Sequence, residues 1–434
     1  ITKNIPQDIR NEYRYASVFA RVNYQFKNRY ILNLTARKDG SSRFGENNKF
    51  ANFGAIGAAW LFSEESFLKD NKWLSSGKFR TSIGTTGSDL LGDYQYLDSY
   101  TVANNSYNGG AGLFPSRLYN PNFSWEKTTK FEAALELGFL ADRLQAVIAY
   151  YNNRSSNQLL GIPLPGTTGF SSIQANLEAT VQNRGWEFQV NASPILSANW
   201  KWQTSFNISL PKSKLISFPG ISGSTYANTY VVGMPTNIVK LYNYNGINGQ
   251  TGRYEFTDFN NDGRITSPDD AQAIREIGVK YFGGWQNDVK FKNLSLSFLF
   301  QFVKQTNWNY YRNMANPGVL INMPVELANV WSLNNPNGVI MPYDPGTTAL
   351  SNTLSSNFKN STATVGDASF VRLKNVQLNY SLPPRGKLIK GASIFIQGQN
   401  LLTLTDYFGL DPEFVLTGYL PPLKTYSFGV QIKF

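Results

Sequence analysis

Neither cysteine nor histidine occurs anywhere in the 434 residues of this chain. The first absence excludes disulfide scaffolds, thiolate nucleophiles and cysteine-ligated zinc. The second removes the imidazole from Ser-His-Asp triads, from HExxH metal sites and from ordinary acid–base chemistry. Charge is sparse: Asp, Glu, Lys and Arg make up 16% of the residues, against 15% aromatics. No run of eighteen apolar residues exists, so no helix of this chain can span a membrane. A mean hydropathy of −0.31 is nevertheless that of neither a disordered nor a greasy helical chain. Strands that hide apolar residues in alternation give such a value.

The formal charge is +11, from 40 basic and 29 acidic residues. These cations are scattered, with no run of five, and no nucleic-acid motif accompanies them; nucleic acid is not an expected partner. Basic loops facing an anionic lipopolysaccharide surface or an acidic partner account better for the excess.

What the chain does have is period-two alternation. Val18, Ala20, Val22, Tyr24 and Phe26 alternate with Ser17, Arg21, Asn23 and Gln25. Phe131, Ala133, Leu135, Leu137 and Phe139 alternate with Glu132 and Glu136, and Trp186, Phe188, Val190 and Ala192 with Glu187, Gln189 and Asn191. Similar runs occupy 200–210 and 294–302. A soluble sandwich would also alternate. Runs of ten to fifteen residues with aromatics near their ends favour a transmembrane β-barrel.

Connections alternate between short (27–29, 141–143, 194–199, 292–293) and long (39–49, 88–124, 154–179, 211–237, 303–367). Short turns belong on the periplasmic side and long loops outside. Segment 62–76 is the one long periplasmic connection. About thirteen spanning strands are expected, or fifteen if 238–246 and 253–257 also cross. Bacterial single-chain barrels have even strand counts, so the opening strands are expected to lie outside this sequence.

Several local motifs carry chemistry. The last strand alternates through Tyr426, Phe428, Val430, Ile432 and Phe434; a final strand ending in Phe is either an outer-membrane assembly signal or an ordinary terminal strand. The sharpest motif is an acidic loop with Asp258, Asn260 and Asp262 at positions one, three and five. Gly263 follows at six, Arg264 at seven to offer its carbonyl, Thr266 at nine and Asp269 at twelve. That spacing fits an EF-hand-type Ca2+ site of modest affinity, or an Asx-rich turn that needs no ion. Trp308, Tyr310 and Tyr311, with Asn307 and Asn309, either stack on sugar rings or form an interfacial girdle. Asp411 and Glu413 are paired acids in a final external loop or a solvated turn. Gly-Thr-Thr-Gly at 84–87 and 166–169 lacks the lysine and helix of a phosphate loop.

Longer segments resemble one family throughout. They include RYASVFARVNYQFKNRYILNLTARKDGSSRFG (14–45), SEESFLKD (63–70), LSSGKFRTSIGTTGS (74–88), WEKTTKFEAALELGFLADRL (125–144), NRGWEFQV (183–190), DFNNDGRI (258–265), SFVRLKNVQLNYSLP (369–383), GQNLLTLTDYFGLDPEF (398–414) and YSFGVQIKF (426–434). Together they resemble the SusC/RagA family of TonB-dependent outer-membrane transporters of Bacteroidota. Two departures stand out: Asn261 replaces a frequent Gly in the acidic loop, and Pro422-Leu423 replaces a frequent Pro-Arg.

The resemblance implies an all-β fold, with residues 1–434 forming the C-terminal part of a 22-stranded antiparallel barrel. The N-terminal plug and first strands would lie outside this sequence. It implies no enzyme activity but active import of a glycan fragment or oligopeptide. A SusD-like surface lipoprotein would act as lid, and the TonB-ExbB-ExbD complex would couple through the N-terminal region. It also implies contact with outer-membrane lipid and lipopolysaccharide, and assembly as a dimer of transporter–lipoprotein pairs. The alternatives are a passive porin-like or structural barrel and, from another class, an outer-membrane hydrolase that would have to work without histidine.

Overall fold

A computed structural model of the chain describes residues 11–433, apart from 108–109, 165, 171, 345, 347, 384–389 and 416–419. The first four strands are β1 (Tyr15–Phe26), β2 (Tyr30–Ser41), β3 (Phe50–Trp60) and β4 (Leu74–Ser88). The following long loop carries a hairpin of β5 (Ser99–Tyr107) and β6 (Gly110–Arg117). The wall resumes with β7 (Glu126–Phe139) and β8 (Leu144–Ser156), and a second loop hairpin follows, β9 (Gln158–Pro163) with β10 (Ser172–Leu177). After β11 (Thr180–Leu196) and β12 (Trp200–Ser217), the short β13 (Ile238–Leu241), β14 (Tyr244–Ile247), β15 (Tyr254–Phe256) and β16 (Ala273–Glu276) pair as β13 with β16 and β14 with β15. Then come β17 (Gly278–Phe291), β18 (Leu294–Trp308), helix α1 (Ala349–Lys359) and the short β19 (Val365–Asp367). The chain ends in β20 (Phe370–Leu382), β21 (Gly391–Leu404) and β22 (Thr425–Lys433).

One antiparallel sheet runs β1-β2-β3-β4-β7-β8-β11-β12-β17-β18-β20-β21-β22, with β19 paired to the top of β18. Thirteen long strands therefore form the wall. The segments at 238–246 and 253–257 belong to loop hairpins and do not cross. Among the described residues the sheet does not close, since β1 and β22 each have one neighbour. Phe434, the last residue of the terminal motif, lies outside the described residues.

The tight turns follow strand twist. At 27–29, Lys27 and Asn28 hold φ of 51° and 55°, the left-handed pair that continues a right-twisted hairpin. Pro194 cannot donate to a ladder, and it sits in a register shift between Ala192 and Ile195. Strand β11 thus runs on to Leu196, past the turn expected from 194. At the opposite end β12 extends to Ser217 and β18 to Trp308, beyond the loop starts expected at 211 and 303. The strands keep pairing after their outward residues turn from apolar to polar, so alternation of hydrophobicity stops before the strand does.

Register confirms the two faces. Val18, Ala20, Val22 and Tyr24 stand opposite Lys38, Ala36, Leu34 and Leu32 on the outer face. Lys78, Arg80, Glu132 and Glu136 share the inner one. An apolar face turned to lipid leaves the wall without a core of its own. The three buried apolar clusters gather instead at the end of the long loops, around Phe358, Phe123 and Leu215.

Candidate functional site

The inner wall carries an ion-paired quartet. Arg80 donates from Nε to Glu136 at 2.7 Å and also pairs with Glu132, while Lys78 reaches Glu136 at 3.2 Å. All four are half-exposed to the lumen, where they present fixed charge to whatever occupies it.

Above the wall, two loops separated in sequence pack into one body. Tyr254 stacks on Phe358 with ring centroids 4.2 Å apart, and Met314, Leu327, Ile340 and Met341 complete the buried core. Tyr242 is bridged to Ser361, and Tyr244 N–H donates to the Thr362 hydroxyl at 3.1 Å. Burial raises the phenol of Tyr244 to about 12 and that of Tyr254 further, so both stay neutral. The final loop joins this body through Phe408, whose ring lies 4.8 Å from Tyr311.

That packing decides between the two uses expected for the aromatics near 310. Tyr310 and Tyr311 pack against the loop core, and Arg312 lies over the Trp308 ring at 4.5 Å. They are neither a free sugar platform nor a lipid girdle. Asp411 and Glu413 are not a solvated turn. Both are held by Arg372, whose side chain is 1% exposed, at 2.5 and 2.7 Å, and Lys374 adds a contact to Glu413 at 2.9 Å. With their oxygens committed to cations, they form a latch and not an acid–base pair.

The acidic loop brings part of its expected set together. Asp258 Oδ2 accepts from Gly263 N–H at 2.8 Å, Asp262 Oδ1 from Arg264 N–H at 2.8 Å, and Asn260 Oδ1 from Asp262 N–H at 3.1 Å. Asn261 takes a left-handed φ of 58° and Gly263 one of 79°, which lets the loop coil around these oxygens. Thr266 is exposed, and its N–H goes to Asp270 at 2.8 Å. Asp269 stands exposed at position twelve, whereas Asp270 is fully buried and also accepts from Phe259 N–H at 2.7 Å. Those backbone donors hold the Asp270 carboxyl below its ordinary pKa. Asp258 Oδ1 is buried and has no partner. No group of three carboxylates gathers here or elsewhere among the described residues.

The family model for the TonB dependent receptor-like β-barrel matches residues 2–401. The chain belongs to this family. Receptor relatives include TonB-dependent receptor P3 of Formosa agariphila, 28% identical over 99% of this chain and 46% of that protein. TonB-dependent receptor SusC of Bacteroides thetaiotaomicron is 29% identical over 96% of this chain and 43% of its own length. Among solved structures, the RagAB peptide transporter is 28% identical with a TM-score of 0.82, matched over 97% of this chain and 48% of that one. The chain thus spans about half the length of the relatives it matches. As a SusC/RagA-like receptor barrel it resides in the bacterial outer membrane.

The receptor barrel has two loop-holding side chains that sequence reasoning missed. Arg372 reads as one more inward cation on β20, and only the return of the final loop shows it to be buried. Asp270 is adjacent to the expected ligand Asp269, and the choice between them depends on a turn that spacing does not fix.

Proposed function

We propose that this chain supplies barrel wall and surface loops to an importer of glycan fragments or oligopeptides. It works with a SusD-like lipoprotein lid and draws energy from TonB-ExbB-ExbD through a plug encoded outside this sequence. The observation that carries the reading is a charged inner wall beneath a single packed loop body. Leu320, Ile321, Val325, Leu333 and Leu350 are exposed on that body. Leu320, Ile321 and Val325 fall within six residues of one another, and apolar side chains grouped on an aqueous surface mark a place where another protein sits. The RagAB structures are described as a peptide importer, and that likeness supports the oligopeptide reading.

The test is uptake of labelled oligopeptides and oligosaccharides by cells carrying the full-length protein. Import of one class should collapse on adding a protonophore and on deleting the lipoprotein. Uptake indifferent to both would make the barrel a passive pore and overturn the proposal.

A specific observation favours a second, local role for the acidic loop. The buried, unpartnered Asp258 Oδ1 belongs to the same turn as Asn260 and Asp262, with the carbonyl of Arg264 and the exposed Thr266 and Asp269 close in sequence. We propose that this loop binds Ca2+ with modest affinity, as suits a loop bathed by external calcium. Calorimetry on the full-length protein should show calcium heat that Asp262→Ala abolishes. No heat, or heat unchanged by the substitution, removes the role.

A further inference from the structure

Five cations stand together on the outer, lipid-side face of the wall. Lys127 is on β7, Arg154 on β8, Arg184 on β11, and Lys212 and Lys214 on β12, four strands adjacent in the sheet. Cross-strand register fixes their side. Arg184 lies between Asn152 and Lys212, and Gln182 between Arg154 and Lys214. Lys127 is opposite Ser156, one row above Arg154 and Thr129. Phe131 shares the row of Asn152, Arg184 and Lys212; two residues further down, this same face presents Tyr150, Trp186 and Leu210, and beneath them Ile148 and Phe188. The cations are therefore outward and continuous with the upper edge of the apolar band.

Their height agrees. Lys127 is twelve residues above Phe139 at the periplasmic end of β7. At about 2.6 Å of rise per residue for a tilted strand, that is roughly 30 Å; the Thr129 row of Arg154 and Lys214 is roughly 26 Å up and the Phe131 row of Arg184 and Lys212 roughly 21 Å, so the cations straddle the upper edge of an apolar band of about 25 Å. Aromatic rings lie beside and just under the cations, with Phe131, Tyr150 and Trp186 spaced 6.4 and 5.0 Å apart. Hydrocarbon band, aromatic row and cations follow the profile of an outer leaflet from acyl chain to headgroup.

All five side chains are exposed, and among the described residues none of their charged groups forms an ion pair or hydrogen bond. The outer face of these four strands carries no Asp or Glu within the paired region. Lys304, also outward, is by contrast already paired with Asp367 at 2.5 Å. Among the five, the buried Gln182 donates to Asn152 Oδ1 at 2.8 Å and adds no charge to offset theirs. The patch is about 15 Å across at normal strand spacing, wide enough for more than one phosphate.

We propose that this face is a binding site for a phosphorylated glycolipid of the outer leaflet, with acyl chains on the aromatic band and phosphates on the five cations. The like charges are stacked without a protein counter-ion, and an anion at headgroup height relieves their repulsion. The site rests on the outer-membrane placement of the barrel and not on the import reading, so either can fail alone.

Binding of bisphosphorylated lipid A to the full-length receptor in detergent, followed by native mass spectrometry, tests it. The receptor should take bisphosphorylated lipid A at least tenfold more tightly than the dephosphorylated form. Binding should weaken as salt rises from 0.05 to 0.5 M. The triple variant Arg154→Gln/Arg184→Gln/Lys212→Gln should lose tenfold or more, with heat-modifiable gel migration showing an intact barrel. The single variants Arg184→Gln and Lys212→Gln provide the same reading with smaller losses should the triple variant not assemble. Equal binding of the two lipid forms, or salt-independent binding by the wild type, overturns the site. Displacement of the lipid by millimolar inorganic phosphate would mark an ion site and overturn the lipid assignment.

Discussion

Arg372 Nη2 donates to Asp411 Oδ2 at 2.5 Å across 39 residues, from a guanidinium that is almost wholly buried. Its Nη1 takes Glu413 at 2.7 Å and its Nε the Thr403 hydroxyl at 3.0 Å, while the Phe370 ring lies 5.1 Å away. A strand of the wall thereby clamps the last surface loop. Gln305, also buried, donates to the Pro412 carbonyl at 2.7 Å and secures the same turn.

Removing one side of a buried ion pair strands the other, which costs about 3–5 kcal/mol. Arg372→Ala should therefore release residues 405–415 while the wall stays paired. Limited proteolysis of intact cells checks this: new cleavage in the last loop is expected, with barrel heat-modifiability retained. Arg372→Lys keeps the charge but not the fork that spans two carboxylates, and should fall between.

Phe358→Ala should loosen the loop body as a unit. Phe358 is 1% exposed and touches Tyr254, Tyr244 and Tyr311. Deleting a buried ring of this kind costs about 3–5 kcal/mol. Because the three tyrosines come from two loops, hydrogen exchange should rise together around 244–256 and 310–314. A rise confined to α1 would mean that the loops fold independently.

Acid should open the acidic loop before the rest of the body. The Asp270 carboxyl is held below its ordinary pKa by N–H groups of Thr266, Phe259 and Asn260. A depressed folded pKa means that this stabilisation is fully present above the unfolded value, near 3.9, and fades as pH falls through the lower folded value. Asp270→Asn keeps one acceptor but turns an amide donor toward backbone donors. The variant should show at neutral pH the loop proteolysis that the wild type shows only below about pH 4.

The wall was legible because lipid on one side and a polar lumen on the other impose a period of two on every strand. Phe131, Ala133, Leu135 and Leu137 could face only one way. The loops were not legible in that manner. Tyr244 meets Thr362 across 118 residues, and no local pattern announces the pairing. The acidic loop lay between these cases: spacing located Asp258, Asn260 and Asp262, while the fold turned Asp270 inward and left Asp269 exposed. Strand ends were misjudged for a related reason, since Lys212 and Lys214 continue β12 in a place where polarity looks like a loop.

The exposed fringe of the loop body yields the last prediction. Leu320, Val325 and Leu333 are each at least four-fifths exposed, while the core beneath them is closed by Leu327 and Ile340. Nothing in the loop body needs the outer side chains for packing, so polar replacements should leave its stability within about 0.5 kcal/mol. If a lipoprotein lid sits there, the same residues are buried in the complex, and a charge placed among them must be desolvated without a partner. Leu320→Asp/Val325→Asp in the full-length protein should therefore lower co-purification of the lid tenfold or more, with loop proteolysis and barrel assembly unchanged. Normal lid recovery in this variant would move the interface away from the 320–333 fringe and leave those apolar side chains without a role.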